Sequence, residues 1–212
     1  MGNKTYIKEK TLDNIAKGVS YEILKILGQK LETQICKIEY KKGYGTGFFC
    51  NIPYDLNTIV KVLIANNHVL SQGDIEIGKI IKFSINNEKY NYEIIIDESR
   101  KIYTSEKYDI TIIELKTEDK LDNILFFDID NEIFKGNLNN FKKKEIFLLY
   151  YQKGKGMTFS NGILKGIYED NYTIQYFCKS SLGSSSGPII NQNYQVIGIH
   201  KGDGKKNYNF GI

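Results

Sequence analysis

Apolar residues recur at two spacings along this chain, and the change falls near residue 34. Before it, Leu12, Ile15, Ala16 and Val19 repeat at helical spacing, followed by Ile23, Leu24, Leu27 and Leu31 on one face. Ser20 is placed to cap the second run. The spacing predicts a helical lead-in over residues 1–33. From Gln34 the period falls to two. Alternation predicts strands at 35–40, 46–50, 59–65, 80–85, 91–96 and 110–115, with Gly43-Tyr44-Gly45 and Asn86-Asn87 as turns. Residues 116–131 begin polar and acidic and read as a connector. A second series of strands follows at 145–151, 157–168, 172–177, 188–190, 196–201 and 207–212.

Composition supports strands over helices. The chain has 212 residues, 41% of them hydrophobic, and its apolar content is Ile, Tyr, Phe and Val rather than Ala. That length suits one large domain or two small barrels sharing a cleft. The formal charge is +4. Its cations are nearly all lysine, with Arg100 the single arginine, whereas nucleic-acid readout leans on arginine forks and stacked aromatics. Lys142-Lys143-Lys144 and Lys205-Lys206 therefore read as solubilising loops, and no nucleic-acid partner is expected. No apolar run approaches the ~20 residues of a membrane span, and the N-terminal residues are too polar for a secretory signal. Met1-Gly2-Asn3-Lys4 suggests N-myristoylation, but Tyr6 stands where that motif wants Ser or Thr. The odd, sparse set Cys36, Cys50 and Cys178 argues against a disulfide framework and for buried thiols in a reducing, cytoplasmic setting. Two histidines without Cys/His spacing give no basis for a metal site, and no cofactor is expected.

Three segments carry candidate chemistry. Gly183-Ser184-Ser185-Ser186-Gly187-Pro188 sets Ser185 in a glycine-flanked turn, where backbone N–H groups can be aimed at an oxyanion. Asn66-Asn67-His68-Val69 offers a histidine after an apolar run. Tyr108-Asp109-Ile110-Thr111 offers an aspartate at the mouth of an alternating strand. Taken singly, each reads as an ordinary loop, turn or strand-start residue. Their order decides between frameworks. Gly183 to Gly187 also fits the G-x-S-x-G elbow of α/β-hydrolases, whose acid and histidine follow the serine. Residues 186–199 hold no Asp or Glu before His200, so that order cannot be built. The order His68, Asp109, Ser185 can. Asp97, after the strand at 91–96, is the alternative acid.

These residues resemble the trypsin-like, chymotrypsin-fold serine peptidases over about residues 34–212. Gly45-Thr46-Gly47-Phe48-Phe49 looks like the opening strand, Asn67-His68-Val69 the histidine turn, and Asp109-Ile110-Thr111-Ile112-Ile113 the acid strand. Gly183 to Pro188, then Val196-Ile197-Gly198-Ile199-His200, looks like the nucleophile loop and the strand after it. The resemblance implies an all-β fold of two six-stranded antiparallel barrels with the active site between them. It divides the chain into the lead-in 1–33, an N-terminal barrel 34–118, an inter-barrel linker 119–131 and a C-terminal barrel 132–212. The chain stops within the last expected strand, short of a terminal helix usual to the fold, so a longer parent protein is expected.

The same resemblance implies a serine endopeptidase acting on protein or peptide substrates. Ser185 would be the nucleophile, His68 the general base, Asp109 its orienting acid, and the N–H groups of Gly183 and Ser185 the oxyanion hole. Gly198-Ile199-His200 is similar to the G-x-H strand of glutamyl endopeptidases and picornavirus main proteases. This implies a pocket from Lys179, Ser180, His200 and Gly202, with Ser180 bonded to His200, and cleavage after Glu or Gln. Two positions depart from the pattern. Ser186 stands where relatives nearly always have Gly, which predicts a strained loop. Ser184 replaces the aspartate that trypsin pairs with a new N-terminus, so that activation switch is not expected. The rival reading is a pseudopeptidase that binds peptides without cutting them; a further one is an esterase-like hydrolase using the same site. No sequence feature sets an oligomeric state.

Overall fold

The computed structural model describes residues 18–212 except 42, 56, 134, 136–137, 168–171 and 204–207. Of the expected lead-in, Leu12, Ile15 and Ala16 lie outside the described residues. The second helical run forms α1, Tyr21–Thr33, started by Ser20, whose hydroxyl accepts from the Ile23 N–H at 3.4 Å. Glu22 in its first turn and Lys30 in its last suit the helix dipole. The inward stripe is Ile23, Leu27 and Leu31, one turn apart. Leu24, expected on the same face, is instead exposed, because it lies about 100° around the helix from Ile23.

Strands β1 (Ile35–Tyr40), β2 (Gly43–Pro53), β3 (Ile59–Ala65), β4 (Ile80–Ile85), β5 (Tyr90–Ile95), β6 (Ile102–Ser105) and β7 (Ile110–Glu114) form one sheet in the order β5-β4-β1-β2-β3-β7-β6. It curls until residues of opposite ends share a core: Ile81 and Ile94 pack in one cluster with Leu63 and Ile113. The first barrel thus reaches its form by wrapping rather than by a closed hydrogen-bond ladder. Two of its strands were absent from the sequence reading. β6 is four residues long, too short for a clear alternation. β8, Phe127–Asp128, lies within the expected linker and runs parallel to β2. The lone arginine braces this half: Arg100 bonds Asp119 at 2.7 and 2.8 Å, the Glu114 carbonyl at 2.6 Å and the Ile95 carbonyl at 3.1 Å.

The second half is a closed barrel. Strands β9 (Glu145–Gln152), β10 (Gly156–Ile167), β11 (Ile174–Cys178), β12 (Pro188–Ile190), β13 (Val196–Asp203) and β14 (Asn209–Gly211) close in the order β10-β11-β14-β13-β12-β9. A third core joins the halves. Phe48, Val62 and Ile64 from the first meet Phe147, Leu149, Ile190 and Ile199 from the second, and Leu27 and Leu31 of α1 pack there too. Each such fully buried side chain contributes roughly 1.5–3 kcal/mol, so this shared core fixes how the halves face each other.

Candidate active site

The histidine sits on a loop whose shape follows from local bonding. Residues 66–70 make one tight turn, with the Val69 and Leu70 N–H groups donating to the Asn66 carbonyl at 3.1 and 3.0 Å. Val69 and Leu70 are buried and anchor the turn in the first core. Thr111 Oγ1 donates to the Leu70 carbonyl at 2.7 Å, and Asn67 Nδ2 donates to Thr104 Oγ1 at 2.7 Å. With both neighbours pinned, His68 keeps its side chain 41% exposed, within reach of solvent and substrate.

Asp109 closes the β6–β7 hairpin. Its N–H donates to the Glu106 carbonyl at 3.1 Å and its φ is +52°, a left-handed conformation that Asp tolerates. That backbone turn throws the carboxylate onto the histidine loop. It accepts from the His68 N–H at 3.0 Å and meets Nδ1 at 3.0 and 2.9 Å through its two oxygens. The Asp109 side chain is only 10% exposed, so the carboxylate is shielded from water while the imidazole stays open to it. Asp97, the alternative acid, lies elsewhere. It bonds Ser99 and Lys116, and these bonds, the Ser99 hydroxyl first, pull its carboxyl down to about 2.

The serine run sorts itself by hydrogen bonding. Ser184 Oγ donates to the Ser181 carbonyl at 2.6 Å. Ser186 Oγ, fully buried, accepts from the Asn66 N–H at 2.7 Å. Ser185 is half-buried, lines a cavity of about 470 Å³, and its hydroxyl has no hydrogen bond among the described residues. No bond joins it to His68 in this structure; catalytic bonds are often long before substrate binds. The first sheet holds this loop from the other side. Thr46 of β2 donates its N–H to the Ser185 carbonyl at 3.0 Å and its hydroxyl to the Gly183 carbonyl at 2.7 Å. The same hydroxyl accepts from the Tyr151 N–H at 2.9 Å. Sequence reasoning took Thr46 only as part of a strand motif; its clamp depends on contacts more than a hundred residues away.

One bond orients the backbone at Gly183. The Lys153 N–H takes the Leu182 carbonyl at 2.6 Å, which turns the Gly183 N–H to the opposite side of that trans peptide. Neither the Gly183 nor the Ser185 N–H has an acceptor among the described residues. Gly183 has φ +91°, and a Cβ there would lie 2.3 Å from the Tyr151 carbonyl oxygen, so only glycine fits.

The cavity also takes lining from Tyr40, Tyr44, Lys153, His200 and Gly202. His200 is 1% exposed and its Nδ1 bonds the buried Tyr176 hydroxyl. Tyr176 thus fills the position expected of Ser180, whose hydroxyl donates to Asn209 Oδ1 at 3.0 Å. Lys179 is exposed, and neither it nor Ser180 lines the cavity. Tyr176 sits on β11, far from His200 in sequence, and only the barrel's closure brings it near. A larger cavity of about 560 Å³ opens on the first sheet, where Lys37 pairs with Glu88 and Lys82 with Glu93; none of His68, Asp109, Ser185 and His200 lines it. The three cysteines are unpaired, and burial raises Cys50 and Cys178 to about 12 and Cys36 well above its usual value. None lines the cavity with Ser185.

Residues 45–199, most of the chain and both halves of this site, match the model of the trypsin-like peptidase domain. The chain belongs to the trypsin-like peptidase family. It is a hydrolase of the trypsin-like serine protease type, and protein is its substrate class. Solved structures agree on the fold. The peptidase is 17% identical to the Rv3671c protease in an inactive form, with TM-score 0.65, covering 93% of this chain and 92% of that one. A serine-to-alanine mutant of Rv3671c from M. tuberculosis H37Rv, also in an inactive form, gives 16% identity and TM-score 0.63, covering 93% and 89%. The serine endoprotease from Yersinia pestis gives 14% identity and TM-score 0.62, and the peptidase spans 93% of itself and 63% of that chain. No curated protein matches the sequence.

Proposed function

We propose that the peptidase hydrolyses peptide bonds through Ser185, His68 and Asp109, by an acyl-enzyme intermediate, and cuts after Glu or Gln. The observation that carries the catalytic part is the division of labour among polar groups. Asp109 holds Nδ1 of His68, and Ser185 is the hydroxyl of its run left unbonded beside the cavity. Bonded at Nδ1, the imidazole presents Nε2 as the base. Ser185 Oγ attacks the scissile carbonyl as Nε2 takes its proton; the carbonyl oxygen becomes an oxyanion facing the Gly183 and Ser185 N–H groups. The imidazolium, stabilised by Asp109, then protonates the leaving amine. Water repeats the sequence on the acyl-enzyme, and Ser185 regains its proton.

The specificity rests on His200. We assign the Tyr176 hydroxyl as donor to Nδ1 of His200, which puts the ring proton on Nε2. His200 lines the cavity beside Ser185, where an imidazole suits the side-chain oxygen of Gln or Glu. A peptide-library profile should show Glu or Gln before the cut; a profile dominated by Arg, Lys or large apolar residues would reject the assignment. A second reading, a peptide-binding module without turnover, draws on the unmade Ser185–His68 bond and on Ser186. Such a module would bind library peptides and release them intact.

A further inference from the structure

Ser186 stands where the family resemblance leads one to expect glycine, and the structure gives that serine defined bonds. It is fully buried and holds φ +67°, a conformation glycine adopts freely and serine does not. Its N–H donates to the His200 carbonyl at 2.9 Å, which fixes the backbone. Its hydroxyl crosses between the two halves to accept the Asn66 N–H at 2.7 Å. Asn66 is also fully buried, and its Nδ2 donates to the Asp109 carbonyl at 2.9 Å. Asp109 in turn holds both the N–H and Nδ1 of His68. A chain of short bonds therefore runs from the residue after the nucleophile to the acid and the base. A glycine at 186 would leave the Asn66 N–H buried without its acceptor.

We propose that Ser186 is a positioning residue that couples the nucleophile loop of the second barrel to the His68–Asp109 pair of the first. The inference rests on the triad reading above and deepens it. A mere intrusion at a glycine position would strain the loop, and removing it would help. A coupling residue gives the opposite sign: restoring the family's glycine harms catalysis although it relaxes the backbone.

The test compares wild type with Ser186→Gly, which removes the strain and the hydroxyl together and so is expected to fold. Turnover of a Glu or Gln peptide ester gives kcat and KM; proton NMR follows the low-field His68 Nδ1 resonance and the His68 backbone amide. The coupling predicts kcat lower by ~10-fold with KM little changed, and both resonances displaced. A kcat equal to or above wild type would overturn it. So would a lower kcat with both resonances unmoved, which would confine the effect of Ser186 to its own loop. Wild type that neither turns over nor reacts with a fluorophosphonate would instead contradict the triad reading. The two resonances would still decide the coupling, since they need no turnover.

Discussion

The two halves of the site are built to different degrees of completeness. On the first sheet, Asp109 and His68 are joined by bonds to both side chain and backbone, and the loop beneath them is tied by Thr111, Thr104 and Asn66. On the second barrel, the N–H groups of Gly183 and Ser185 and the Ser185 hydroxyl have no partners among the described residues. The difference follows from what each half must do. In the proposed mechanism the acid–base pair must hold one tautomer in one orientation, which these bonds supply before substrate arrives. In the same mechanism the nucleophile and oxyanion donors would act on groups the substrate brings, which fits their open hydrogen-bonding capacity. Their geometry is held from behind, by Thr46 and Ser186, rather than by bonds to the reacting atoms.

If the first half is complete on its own, breaking it should cost most. Asp109→Asn should fold and keep its hairpin, yet lower kcat by roughly 10⁴-fold, because the amide favours the wrong imidazole tautomer. Steady-state kinetics with a Glu or Gln peptide would check this, and a loss under tenfold would remove Asp109 from the account. The second half should fail differently, through its support. Thr46→Val deletes the donor to the Gly183 carbonyl and the acceptor of the Tyr151 N–H. The expected loss is about 2–4 kcal/mol of folding stability, read from denaturant unfolding, with slower fluorophosphonate labelling of the remaining folded protein.

The smallest effect is expected away from both halves. Asp97, with its carboxyl held at about 2 by Ser99 and then Lys116, titrates below its unfolded value of about 3.9. A depressed carboxyl stabilises the fold above the unfolded pKa and loses that contribution as pH falls through the folded one. Asp97→Asn should therefore be slightly less stable than wild type near neutrality. The difference should close between about pH 4 and pH 2, and labelling near neutrality should equal that of wild type. Unfolding midpoints across that range would check it. A change in labelling would bring Asp97 back as a candidate acid.

How much of this was legible beforehand depended on the range of the interaction. The six strands of the second barrel were legible as apolar-rich runs between turn residues; β9 and β12 are buried along nearly their whole length, so their signal is not a strict alternation. His68, Asp109 and Ser185 stood out because turn chemistry and chain order are local and sequential properties. The hairpin that aims Asp109 did not, because β6 is four residues long and its partner β7 carries the pattern. The roles of Tyr176, Thr46 and Asn66 are hidden for another reason. Each is an ordinary strand or loop residue whose role exists only once distant segments meet. Ser186 was visible as an oddity, but its sign was not: strain can be read from a sequence, whereas the bond that offsets it spans 120 positions.

The most direct test of the central claim is covalent labelling of the folded protein by a fluorophosphonate probe, with Ser185→Ala and His68→Ala as controls. Wild type should label and both variants should lose labelling, since the reaction needs the nucleophile, its base and the oxyanion donors together. Labelling that survives Ser185→Ala, or folded wild type that does not label at all, would contradict that claim.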